Sequence, residues 1–148
     1  MTAKEKARSY FLEGFNCSQS VFCAFSDRFG IDEETAKKIA AGLGGGVGRM
    51  REVCGAVSAS AMVLGSVCAP VDGSDKESKM KNYELVREFA DRFLERQPSV
   101  VCRELLKMRV KMEKTPMPDD RTAEYYKNRP CLKVVEDAAE ILEDMLEG

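Results

Sequence analysis

Six cysteines and no histidine decide which chemistry this chain can attempt. Without imidazole there is no Ser-His or Cys-His nucleophile pair and no histidine-containing metal site, so proton transfer falls to Cys, Asp, Glu, Lys or Tyr. Cysteine supplies thiolates, which are nucleophiles, redox centres and soft metal ligands. Cys17, Cys54, Cys102 and Cys131 each fall in the first turn of an expected helix. There, free N–H groups and the positive end of the helix dipole favour ionised sulfur. Cys23 is expected mid-helix and Cys68 near a helix C-terminus, and both read as small core residues.

No C-x-x-C occurs, which removes the thioredoxin-like motif and the zinc-ribbon spacing. The four helix-start cysteines lie on four separate helices and meet only if those N-termini gather at one end of a bundle. Four converging thiolates at Cys17, Cys54, Cys102 and Cys131 suit an iron–sulfur cluster or a zinc ion held by all four. Two close pairs instead suit a metal-free dithiol/disulfide switch, with Cys54 as the low-pKa attacking thiol and another of the four resolving the disulfide. A reading of a different class is a non-enzymatic metal-binding or structural interaction protein.

Gly42-Leu43-Gly44-Gly45-Gly46-Val47-Gly48 leads through Arg49 and Arg51 to Cys54. Such a run cannot continue a helix. It is expected to let backbone approach a cysteine-based site at Gly45, Gly46, Gly48 and Gly55, with arginine charge alongside. It is not a phosphate loop, since no G-x-x-x-x-G-K-[ST] is present and no strand precedes it. Tyr125 and Tyr126, near Arg129 and Cys131, read as packing. Asp119 and Asp120 read as a turn, and Glu84, Glu88, Glu136 and Glu143 as solvated helix faces.

The elements that must position these residues are all helices, because no segment alternates apolar and polar residues. Thr2 is expected to cap a first helix reaching Gly14, with Ala3, Ala7, Tyr10 and Phe11 inward. Asn16 caps a second, with Ser18, Val21, Phe22, Phe25 and Phe29 as its stripe and Gly30 at its end. Asp32 caps a third, with Ala36, Ile39, Ala40 and Leu43 inward. A fourth starts near Val53 or Cys54 and runs to about Cys68; it is apolar or small on every side and therefore central. Ser74 or Asp75 caps a fifth from Lys76 to Gln97, with a stripe of Met80, Tyr83, Val86, Phe89, Ala90, Phe93 and Leu94. Ser99 is expected as the N-cap of another helix reaching about Val110, and Thr122 to Lys127 as a short turn. Pro130 takes the first helical position of the last helix, with Leu132, Val135, Ala138, Ala139, Leu142 and Met145 facing in.

With 148 residues, the chain makes one helical domain over 1–148, a compact all-α bundle around residues 53–68. Its 44% hydrophobic and 32% charged content is that of a folded globular protein. A net charge of −2 with no basic cluster gives no case for nucleic acid. The longest apolar run, Val53 to Ala69, is broken by glycine and serine and argues against membrane insertion. The opening residues lack an apolar signal region, so a cytoplasmic location with reduced thiols is expected. The redox partner and any homo-oligomer are left open by these residues.

The order Asn16-Cys17-Ser18-Gln19, Gly44-Gly45-Gly46-Val47-Gly48, Cys54-Gly55-Ala56 and then the single cysteines Cys102 and Cys131 resembles the C_GCAxxG_C_C family of small prokaryotic redox-active proteins. The resemblance runs from about Asn16 to the last helix. It implies redox activity, with Cys17, Cys54, Cys102 and Cys131 matching the family's four cysteines, and it leaves the substrate open. One departure is Ala59, where the family motif has glycine three positions after its alanine.

Overall fold

The computed structural model describes residues 1–108 and 114–147. Among them are eight α-helices and no strand. The helices are α1 (Ala3–Leu12), α2 (Cys17–Phe25), α3 (Glu33–Ala40), α4 (Gly55–Cys68), α5 (Lys76–Leu94), α6 (Cys102–Leu105), α7 (Ala123–Asn128) and α8 (Cys131–Glu147). Single 3₁₀ turns, Ser26–Phe29 and Ala41–Leu43, extend α2 and α3. No helix of the described residues is long and apolar enough to cross a membrane.

Capping residues start the helices where local chemistry says they should. Thr2 Oγ1 accepts from Glu5 N–H at 3.1 Å while Glu5 accepts from Thr2 N–H at 3.0 Å, a complete capping box. Asn16 and Gln19 form a second box across the start of α2, at 2.9 and 3.1 Å. The same two side chains reach sideways, Asn16 Nδ2 donating to Ala41 O and Gln19 Nε2 to Lys37 O, both at 3.0 Å. The cap therefore also fixes α2 against the end of α3. Asp32 and Asp75 cap α3 and α5 through the N–H groups of Thr35 and Ser78.

Helix α4 is central as far as Leu64, packed between α2, α5 and α8. Helix α2 shares the interior, with seven of its nine residues buried. Ala59 is fully buried, so the interior accepts its methyl group where the family has glycine. Cys23 is buried as expected, but Cys68 is not a core residue. It is exposed on the last turn of α4, and its thiol donates to Leu64 O at 2.7 Å.

Several residues expected to face inward are exposed. Met80 and Tyr83 lie on the early turns of α5, beside the exposed end of α4, and are 53% and 64% exposed. The burial of α5 rests on Phe89 and Phe93, and Leu94 and Ile39 also face solvent. Helix α5 stops at Leu94 rather than Gln97. Ser99 is not an N-cap: its hydroxyl accepts from Val101 N–H and donates to Glu104, and Val101 precedes a helix only four residues long. That helix closes at Leu106, and Lys107 takes a left-handed φ of 57°. Residues 109 and 110, the expected end of the helix, lie outside the described residues. Pro130 sits just before α8, and its carbonyl accepts the helix's first bond, from Val134.

Glu136 and Glu143 are more than solvated charges. Glu143 accepts from Ala3 N–H at 2.9 Å and pairs with Arg28 at 3.0 Å, and Glu136 pairs with Arg8 at 3.6 Å. They tie α8 to α1. Asp137, buried in α8, is satisfied by Gln97, Lys133 and Arg96.

Candidate functional site

The starts of α2, α4, α6 and α8 meet at one end of the bundle around a cavity of about 470 Å³. Cys17, Cys54, Cys102 and Cys131 all line it. So do Gly45, Gly46, Gly48 and Gly55, four arginines (Arg49, Arg51, Arg121 and Arg129), Asp119 and Tyr125. Cys17, Cys102 and Cys131 are the first residues of their helices, and Cys54 is the N-cap of α4. All six cysteines of the chain are free thiols.

The backbone that brings the inner two together is an isolated antiparallel bridge between Val53 and Val101. Cys54 N–H donates to Val100 O at 2.8 Å and Cys102 N–H to Glu52 O at 2.6 Å. The residues leading into α4 are thus pinned to those leading into α6. Gly55 lets the start of α4 lie against α2, because a Cβ there would stand 3.0 Å from Leu43 O and 3.1 Å from Ser18 N.

The glycine run turns back left-handed. Gly45, Gly46, Val47, Gly48 and Arg49 have φ between 55° and 70°, and Arg51 follows at 61°. For Val47, Arg49 and Arg51 that geometry costs about 1–2 kcal/mol each. The loop's N–H groups from Val47 to Glu52 bond carbonyls of residues 42 to 47. They are therefore spent within the turn itself. Only the Gly45 and Gly46 N–H groups lack an acceptor among the described residues of this turn. What the turn delivers is Arg51, buried, with Nη1 3.7 Å from Cys102 Sγ, and Arg49, which reaches Asp119 at 3.2 Å.

The thiols are not equivalent. Cys17 and Cys131 line the same cavity wall, close enough that each side chain governs the other's ionisation. The Cys17 side chain, helped by the charges of Arg129, Arg51 and Arg121, draws Cys131 down to about 7 against the desolvation that opposes it. Cys17 moves well up for the converse reasons, its interaction with Cys131 first and then its dense surroundings. The two titrate as a pair, and both are partly open to the cavity.

Cys54, expected as the attacking thiol, is buried, and burial opposes its ionisation. Burial pushes it up to about 12, although the nearby N–H groups of Ala56 and Val57 work the other way. Cys102 is also raised by burial, with Arg51 working against the shift. A helix N-terminus stabilises a thiolate less than burial destabilises it.

Among the described residues no three Cys, Asp or Glu side chains are grouped so as to hold a metal ion. The donor set at Cys17, Cys54, Cys102 and Cys131 is therefore not grouped around a single metal ion such as zinc in this arrangement. The reason is visible: Cys17 and Cys131 adjoin each other, Cys102 faces Arg51 at 3.7 Å, and Cys54 is buried at the start of α4.

The family model described as "Putative redox-active protein (C_GCAxxG_C_C)" matches residues 15–145. The chain belongs to this family. No curated protein and no solved structure gives a significant match. The matched segment contains every cysteine and the whole cavity lining except Phe11 and Gly14. For this C_GCAxxG_C_C protein, sequence reasoning overlooked Arg121 and set Asp119 aside as a turn residue. Arg121 donates to Phe11 O and Phe15 O at 3.0 and 2.9 Å and stacks over Phe11 and Tyr125 at 4.5 and 4.9 Å. Asp119 joins Arg49 of the glycine turn to Arg129 beside Cys131, the latter at 2.9 Å. Tyr125 lines the cavity, whereas Tyr126 packs on Phe11. The available signal was a set of arginines flanking the cysteines at 49, 51, 121 and 129.

Proposed function

We propose that the chain carries out thiol–disulfide exchange through Cys17 and Cys131. The observation that supports this best is that Cys17 and Cys131 share the wall of an accessible cavity and interact there, one of them drawn toward its thiolate form by the arginines around it. The Cys131 thiolate attacks one sulfur of a disulfide R–S–S–R. The S–S bond breaks, one RS⁻ leaves with the bonding pair and takes a proton from water, and Cys131 is left in a mixed disulfide. Cys17 gives its proton to water and attacks the Cys131 sulfur, releasing the second RS⁻. The substrate gains two electrons and the Cys17–Cys131 pair loses them. Cys54 and Cys102 stay neutral thiols and take no part in the first attack.

The test is a thiol titration under mild oxidation by a small disulfide. Two thiols are expected to disappear together, and the paired loss is expected to persist in Cys54→Ser and Cys68→Ser. It is expected to vanish in Cys17→Ser and Cys131→Ser. Paired loss that survives Cys131→Ser overturns the assignment. Stoichiometric iron or zinc in anaerobically purified protein overturns it in favour of a metal centre.

A further inference from the structure

The cavity beside the dithiol pair is unevenly charged. Its described lining holds four arginines and one carboxylate, Asp119, which Arg49 and Arg129 share. Arg121 forms no ion pair with a carboxylate among the described residues: its guanidinium donates to two carbonyls and lies against the rings of Phe11, Tyr125 and Tyr126. Arg129 is likewise held over Tyr125, at 5.1 Å. These contacts fix both guanidinium planes in advance, so a ligand that meets them does not bear the cost of ordering two long side chains. A guanidinium in no carboxylate ion pair, in a concave and partly apolar site, calls for an anion, and its planar fork matches a carboxylate. The volume, about 470 Å³, suits a small molecule rather than a folded partner's surface loop.

We propose that the cavity binds a low-molecular-weight disulfide carrying carboxylate groups, held by Arg121 and Arg129 so that its S–S bond meets the Cys17–Cys131 pair. This rests on the thiol–disulfide reading above and names its substrate class. The exchange is the one already balanced: the bound disulfide accepts two electrons and leaves as two thiols, and Cys17 and Cys131 become a disulfide.

The experiment compares three small disulfides of similar size and different charge: 3,3′-dithiodipropionate, 2-hydroxyethyl disulfide and cystamine. Each rate of oxidation of the intact chain is divided by the rate of the same disulfide with the urea-unfolded chain, which removes differences in leaving-group reactivity. A charge-assisted hydrogen bond corresponds to roughly a tenfold or greater preference. The normalised rate is therefore expected to favour the dianion over the neutral disulfide by about that factor, with cystamine slowest. The preference is expected to weaken as salt is added. Arg121→Gln and, as a second variant in case the first fails to fold, Arg129→Gln are expected to shrink the dianion-to-neutral ratio. That ratio is independent of how much Cys131 is ionised, so a general slowing does not move it. Equal normalised rates for the three compounds overturn the carboxylate recognition and leave the dithiol chemistry standing. No oxidation of Cys17 and Cys131 by any of them overturns both.

Discussion

Replacing Cys17 with alanine removes the leading influence that lowers Cys131, its interaction with the Cys17 thiol, and leaves the arginine charges in place. A hydrogen bond to a charged group contributes about 1.5–3 kcal/mol, and one pKa unit corresponds to about 1.4 kcal/mol. The Cys131 midpoint is therefore expected to climb from about 7 by roughly one to two units. Near pH 7 the thiolate fraction then falls from about half to between roughly a tenth and a hundredth. A more basic thiolate is intrinsically more nucleophilic, by about 2.5–3-fold per unit, which returns part of the loss. The net expectation is a labelling rate about two- to eightfold slower near pH 7, and a rate above wild type once both forms are fully ionised, beyond about pH 10. The assay is iodoacetamide labelling of the Cys131 peptide, followed by mass spectrometry from about pH 5 to about pH 11. Crossing profiles support the pairing. A midpoint that stays put, or moves down, refutes the claim that Cys17 holds the thiolate.

Further outcomes follow from the same contacts. Above the unfolded thiol value of about 8.5, Cys54 stays protonated in the folded chain and ionises on unfolding, so stability is expected to fall by about 1.4 kcal/mol per pH unit from this group until its folded value near 12. Cys131 acts in the opposite sense: its contribution is present above about 8.5 and is lost as pH falls through about 7, and urea melts across the range read both. The Ser18 hydroxyl is fully buried with no hydrogen-bond partner, so Ser18→Ala is expected to raise stability by about 1 kcal/mol, or about 2–4 °C in Tm; a lower Tm contradicts this. A Cβ on Gly46 would stand 2.6 Å from Cys102 Cβ and 2.7 Å from Glu52 N, whereas one on Gly48 meets nothing within 4 Å. Both glycines have left-handed φ, so in denaturant unfolding Gly46→Ala is expected to be about 1–3 kcal/mol less stable than Gly48→Ala.

What the sequence disclosed was mostly local. Thr2, Asn16, Asp32 and Asp75 are caps because their side chains bond N–H groups three residues on, which spacing alone reveals. The same locality placed four cysteines at helix starts, and the Asn16-Cys17-Ser18-Gln19 and Cys54-Gly55-Ala56 segments carried the family resemblance. The ranking of those thiols was not legible. Cys54 and Cys131 both stand at helix starts in the sequence pattern, yet one is raised by burial and the other lowered by a thiol 114 positions earlier in the chain and by three arginines. Asp119 looked like half of a turn because its partners, Arg49 and Arg129, meet it only across the cavity. Met80 and Tyr83 followed the helical period of α5 faithfully, and periodicity says nothing of how far the neighbouring α4 extends.

The central claim is that Cys17 and Cys131 form one redox pair. The most direct measurement is peptide mapping of the intact chain after oxidation by one equivalent of a small disulfide, with free thiols blocked before digestion. The account predicts a cross-linked species joining the Cys17 peptide to the Cys131 peptide, with Cys54 and Cys102 recovered as blocked thiols. A Cys54–Cys102 cross-link in its place, or oxidation confined to exposed Cys68, would contradict it.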